Sequence, residues 1–471
     1  MTGLNELSAT ELVAGYRAGR FAPVEVLSDV LAQIDRCEPV LNAIWHLDRD
    51  EAMAQARASE ARWRAGAPLA VNGAVLDGVP VTIKENIATR GVPMPLGTAA
   101  SDLTPRTEDA PPAARLREAG AVFVGRTTMP DLGMLSSGLS SFHRLARNPW
   151  NTAMNPGGSS AGAGVAGAAG YGPIHLGTDI GGSIRLPAAW CGLVGLKPSL
   201  GRVPIDPPFM GRVAGPMTRN VADAALAMAV LSGPDGRDHM NLPPAALDWQ
   251  DLDGTLRGLR VGLLLDAGCG MPVAAEVMAA VQAAADRFRD AGALVEMLDP
   301  WMTPDLLRHV DDFWRTRAGV ETGDLPAERR AKILPKILEW AEAGLGRSGE
   351  AVYRDYAATI EVRRRTTEVS QRFDLILSPV SPNTAFPADW ACPCDNDMAR
   401  TMAHIGFTMP FNLGEQPAIS VPCGHDAAGV PIGLQIAGRR FDDLGVLRAA
   451  RAWEAIAPAP RPWPMAEGVP A

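Results

Sequence analysis

Helical hydrophobic spacing dominates the start of the chain. Ser8 and Glu11 form a capping-box pattern ahead of an apolar face at Leu12, Val13 and Tyr16. Pro23 suits the first turn of a second helix, where Val26, Leu27, Val30, Leu31 and Ile34 share one face. Residues 48–65, alternating alanine with charge, predict a third helix. The pattern then shortens. An Asp77-Gly78 turn leads into a short apolar strand over 79–83, ending at Lys84. A helix over 110–119 and buried strands over 121–125 and 174–177 follow. Between them, residues 157–172 hold seven glycines and five alanines, a composition that suits close backbone packing or close approach of a ligand.

Further on, a strand over 260–266, a helix over 273–291 and a strand over 293–298 make a β-α-β unit. Val277, Val281, Ala284 and Phe288 mark the buried side of that helix. Residues 303–372 read as largely helical, with Leu306, Val310, Phe313 and Trp314 on one face. Strands recur over 375–378, 419–422 and 433–436, and a helix over 443–456 precedes a Pro-rich tail. This alternation predicts an α/β fold: a single large domain whose central sheet is mixed and mostly parallel, with helices on both faces. The expected divisions are a helical segment over 1–66, a core over 67–232, a C-terminal α/β part of the same domain with pocket insertions over 233–456, and the tail over 457–471. No internal repeat is visible.

Composition narrows the function class. The 471 residues are 47% hydrophobic, and 44 basic against 53 acidic side chains give a net charge of −9. That balance argues against nucleic acid or an anionic membrane as partner. The N-terminus lacks a basic start followed by an apolar run, and no stretch approaches the roughly 20 apolar residues of a membrane span. A cytoplasmic location is expected. Six cysteines suit a reducing compartment, and Cys392-Pro-Cys394 lacks a second pair nearby. The seven histidines show no zinc-ligand pattern, so no metal is expected.

Three polar residues stand in Gly-rich or strand-end settings: Lys84 in VTIKENI, Ser159 in NPGGSSAG and Ser183 in GTDIGGSIRLPAAWCG. The last run admits a phosphate-type turn or an oxyanion hole. It lacks the Lys-Ser/Thr ending of a P-loop, and Gly181-Gly182 lets backbone N–H groups converge beside Ser183. A nucleophilic serine needs a base. His143 and His175, the histidines nearest Ser183 in sequence, have no such context and read as core or surface residues. Lys84 fits the role only if burial lowers its pKa from about 10.4.

LDGVPVTIKENI, NPGGSSAG, GTDIGGSIRLPAAWCGLVGLKPSLGRVP, GPMTRNVADAA, QPAISVPCG and GVPIGLQIAG together resemble the amidase signature family of serine hydrolases. The resemblance covers nearly the whole chain. It implies Ser183 as nucleophile, Ser159 as a bridging serine after a cis peptide from Gly158, and Lys84 as base. It also implies an oxyanion hole from the N–H groups of Ile180, Gly181, Gly182 and Ser183, and an acyl-pocket wall from Gly133, Met134, Leu135, Ser136 and Ser137. Thr178, Asp179 and Arg185 are supporting residues, the last two as a pair bracing the turn. Ser160 either bonds Lys84 or caps the following helix. Ala161 and Glu85 depart from the residues common at their positions.

The activity implied is hydrolysis of a carboxamide through an acyl-enzyme, with no cofactor. The partner is a small-molecule amide, with no nucleic acid and no membrane; a homodimer stays open. The alternatives are a glutaminase-type subunit of a tRNA-dependent amidotransferase and a non-catalytic binding protein on the same fold. Phe209, Trp314, Phe386, Trp390, Phe407 and Phe411 either line an apolar pocket or fill the core.

Overall fold

The computed structural model describes residues 3–464. The first elements are helices α1 (Ala9–Arg17) and α2 (Pro23–Leu41), strand β1 (Ile44–His46), α3 (Arg49–Arg64), β2 (Pro80–Lys84), α4 (Pro111–Glu118) and β3 (Val122–Thr127). Next come α5 (Ala161–Ala169), β4 (Ile174–Asp179), α6 (Arg185–Cys191), β5 (Val194–Lys197), β6 (Val213–Thr218) and α7 (Val221–Leu231). The second half holds β7 (Arg260–Leu263), α8 (Ala275–Asp290), β8 (Leu294–Met297), α9 (Pro304–Gly323), α10 (Ala327–Arg330), α11 (Pro335–Glu342) and α12 (Gly349–Ser370). It ends with β9 (Leu375–Pro379), α13 (Met409–Leu413), β10 (Ala418–His425), β11 (Pro431–Gly438) and α14 (Asp443–Ile456). No helix among the described residues is long and apolar enough to cross a membrane.

Local chemistry explains the first elements. Ser8 N–H donates to Glu11 Oε2 at 2.9 Å and Glu11 N–H to Ser8 Oγ at 3.2 Å, so the capping box closes α1. Along α2, Val26, Leu27, Val30, Leu31 and Ile34 are all buried. The β5, β6 and α7 segments are not among the predicted elements. They are buried almost throughout, so neither the two-residue nor the 3.6-residue period shows in them.

All eleven strands join one sheet in the order β1-β3-β2-β4-β6-β5-β10-β11-β9-β7-β8. The sheet is mixed, but it is not mostly parallel as expected: six neighbouring pairs are antiparallel and four parallel. Parallel pairing is confined to the blocks β3-β2-β4 and β9-β7-β8, and the strands between them alternate in direction. β5 pairs with β10, so residues 67–232 and 233–456 share this sheet. In β3, Phe123 joins the core under α4 and α7, whereas Val122 and Val124 join that under α2, α3 and α5. Alternate side chains of a strand point to opposite faces, so helices cover both. The Pro-rich tail lies partly outside the described residues.

Candidate active site

β2 and β4 are parallel neighbours, and their carboxyl ends deliver Lys84 and Asp179 to the same edge of the sheet. Ligands of open α/β sheets bind beyond that edge. The chain leaving β4 turns through residues 180–184 into α6, carrying Ser183, and the loop entering α5 carries Ser159. The two are adjacent: Ser160 N–H donates to the Ser183 carbonyl at 3.2 Å. The Gly158–Ser159 peptide is cis. A Cβ on Gly158 would come within 2.5 Å of Ser137 N, so only glycine lets these backbones meet.

Lys84 is fully buried. Its Nζ donates to Ser159 Oγ at 2.9 Å and to Thr178 Oγ1 at 3.0 Å, and Thr178 Oγ1 also accepts from Asn86 Nδ2 at 3.0 Å. Burial brings the amine down to about 7; Asp179 and Glu85 oppose that shift, and Arg212 adds to it. Glu85 itself points away, within 2.9 Å of His143 Nε2. His175 is a core residue, its ring bonded to Thr82 Oγ1 and the Gly172 carbonyl, each at 2.9 Å.

Asp179 organises the turn. Its carboxylate accepts from Arg185 Nε at 3.0 Å and Nη2 at 2.9 Å, and from the N–H groups of Gly182 at 2.9 Å and Ile184 at 3.1 Å. Burial alone would raise its pKa, but Arg185 beside it holds it well below the usual carboxylate range. The Gly182 N–H is therefore taken, which corrects the expected set of four oxyanion donors. The N–H groups of Ile180, Gly181 and Ser183 donate to no atom among the described residues. Ser160 neither bonds Lys84 nor caps α5: its Oγ donates to the Thr178 carbonyl at 3.1 Å and accepts from Thr178 N–H at 3.2 Å.

A cavity of about 960 Å³, counting its open mouth, brings these groups together. Ser159, Ser183, Thr178, Ile180 and Gly181 line it, as do Gly133, Met134, Leu135 and Ser136; Ser137 packs behind, against Gly158. No hydrogen bond joins the Ser159 and Ser183 hydroxyls; such catalytic contacts often tighten only with substrate bound. Of the six aromatic candidates only Trp314 reaches the cavity. Phe386, Phe407 and Phe411 are core, Trp390 packs against that core, and Phe209 lies under Arg317. Sequence reasoning missed Asn86, Arg212, Trp340, His404 and Ile405 on the cavity wall. Asn86 follows Lys84 by two positions, a spacing that hints at it; the others come from distant segments with no shared motif.

The amidase family model matches residues 25–447. The chain belongs to the amidase signature family. Among similar proteins of that kind is an acylamidase of Rhodococcus erythropolis, 32% identical over 98% of this chain and 96% of that protein. Another is the glutamyl-tRNA(Gln) amidotransferase A-type subunit of Roseiflexus sp. (strain RS-1), 34% identical over 97% of both. A bacterial aryl acylamidase of the amidase signature family superposes with a TM-score of 0.87 at 32% identity, over 96% of each chain. A peptide amidase from Stenotrophomonas maltophilia gives 0.82 at 27% identity, over 97% of this chain and 98% of that one. The chain is accordingly an amidase, a serine hydrolase of carbon–nitrogen bonds.

Proposed function

We propose that Ser183 is the nucleophile of this amidase, Ser159 the proton relay and Lys84 the base. A neutral Lys84 amine, 2.9 Å from Ser159, takes the Ser159 proton while Ser159 takes that of Ser183. Ser183 Oγ then bonds to the carboxamide carbon, and the carbonyl oxygen becomes an oxyanion facing the N–H groups of Ile180, Gly181 and Ser183. The proton returns through Ser159 to the nitrogen, the carbon–nitrogen bond breaks, and ammonia or an amine leaves. Water repeats the sequence on the acyl-enzyme and frees the acid. Each oxyanion donor is worth about 3 kcal/mol in hydrolases of this kind.

The observation that carries this reading is a fully buried lysine bonded to a serine in the cavity that also holds Ser183, with three N–H groups that have no acceptor among the described residues. Screening simple amides for ammonia release, with Ser183→Ala as control, tests it. Activity that survives in Ser183→Ala overturns the assignment. Six unpaired cysteines support a cytoplasmic location, where thiols stay reduced.

A second reading, supported by the 34% identity to that amidotransferase component, is a glutaminase that works inside a complex. Glutamine-dependent ammonia release that appears only with copurified partners favours it. Hydrolysis of simple amides by the isolated chain opposes it.

A further inference from the structure

The charges on the cavity wall do not cancel. Arg317 Nε donates to Glu321 Oε1 at 2.7 Å, so that pair is neutral, and Lys84 lies behind Ser159 and Thr178 rather than on the wall. Arg212 remains. Among the described residues no carboxylate comes within ion-pair distance of it, and its one side-chain bond is Nη2 to the Pro207 carbonyl. Arg317, Glu321, Asp206 and Asp238 are near enough to be felt, but none of the three carboxylates pairs with it. Arg212 lines both the cavity and an adjoining cleft, and Asn86 and Thr178 are likewise common to the two.

The fold fixes this cation against the reacting groups. Val213 pairs with Asp179 across β6 and β4, which sets Arg212 opposite Ile180, the first residue of the oxyanion turn. Asn412 ties the two together: its Nδ2 donates to Asp179 Oδ1 at 2.8 Å and to the Gly211 carbonyl at 2.9 Å. A tight turn, Arg212 N–H to the Phe209 carbonyl at 3.0 Å, holds the loop before it, and Arg317 lies 4.1 Å above the Phe209 ring. Leu132, Met134, Trp314 and Trp340 give the wall an apolar part, which suits a methylene spacer. A half-buried guanidinium without a counterion is completed by a planar anion that accepts two parallel N–H bonds.

We propose that Arg212 anchors a carboxylate on the substrate, so that the preferred substrates are amides of acids bearing a second, ionised carboxyl group. This rests on the amidase reading above and names the substrate class of that site.

Calorimetric titration of the Ser183→Ala protein tests it with three matched pairs: succinamate against butyramide, glutaramate against pentanamide, adipamate against hexanamide. At least one acid should bind on the order of 10- to 100-fold tighter than its neutral counterpart, the range of a charge-assisted hydrogen bond. Adding Arg212→Met should abolish the preference; Arg212→Gln carries the same test if that variant does not melt cooperatively. Equal binding within every pair overturns the proposal, as does a preference that survives loss of the guanidinium. Carboxylate-selective binding without ammonia release by the unmutated enzyme sinks only the amidase reading. Ammonia release without that selectivity sinks only this inference.

Discussion

A lysine acts as a base only in the fraction of molecules where it has lost its proton, and burial sets that fraction for Lys84. With its pKa at about 7, kcat/KM for a neutral amide should fall about tenfold per pH unit below 7 and level off above it. A flat profile from pH 5 to 9 contradicts the assignment. Lys84→Ala should lower kcat/KM by about a thousandfold, within the range of a lost acid–base group. Thr178→Val offers a finer test. It removes an oxygen that accepts from Lys84 at 3.0 Å and so favours the charged amine. The acid limb should then move to lower pH by about one unit, since such a bond is worth about 1.5 kcal/mol. A limb that stays in place removes Thr178 from the account. That Lys84, Ser159 and Ser183 come together at one end of the sheet was legible in the sequence because each sits in a Gly-rich or strand-end run. The engagement of the Gly182 N–H was not. It depends on which way the Asp179 carboxylate points, and no local pattern encodes that direction.

Elements with a polar side were the readable ones. α1, α2, α8 and α14 each bury one face and expose another, and their spacing shows it. The elements that hold the site are enclosed on all sides. α5 is built from glycine, alanine and one valine, every residue buried, and it carries no helical period. Its composition answers to packing: Gly162 lies against the segment that joins α2 to β1 and against Thr128 beyond β3. A Cβ there would overlap the Ala43 carbonyl oxygen and come within 2.5 Å of Thr128 N, both backbone atoms that cannot swing aside. Gly162→Ala should therefore destabilise by about 3 kcal/mol and lower the melting temperature by several degrees, despite alanine's better helix propensity. Unchanged or improved melting means that α5 is free to shift, and then it does not fix the loop bearing Ser159. The cavity wall was the least legible part. Residues 212, 314 and 404 come from the start of β6, from α9 and from the segment before α13, and they meet only in the folded chain.

Across the whole molecule a second lysine shares the electrostatic state of Lys84 without sharing its task. Lys197, at the end of β5, is fully buried and lines no part of the cavity; its Nζ donates to the Pro198 carbonyl at 3.0 Å. Burial brings it to about 7 as well, assisted by Arg185 and opposed by Asp179, Asp443 and Glu415. Both lysines titrate at about 10.5 once unfolded. Between pH 7 and 10.5 the unfolded chain thus binds more protons, and stability rises with pH by up to about 1.4 kcal/mol per unit for each lysine. Below 7 their full cost is present. His175 and His404, lowered by burial to about 3 and 4, make their contribution between those values and 6.5, so it is constant above that. All six thiols are raised by burial from 9.0 and oppose the trend chiefly above pH 9. The melting temperature should accordingly climb from pH 7 to 8.5. Lys197→Met should raise it at pH 7 and roughly halve the slope, because an apolar chain of similar length removes one buried amine. The acid limb of kcat/KM should stay where it was, since that titration belongs to Lys84. A melting temperature that is flat or falling over this window, or a rate profile that moves with Lys197, would show that the two amines are not separately held.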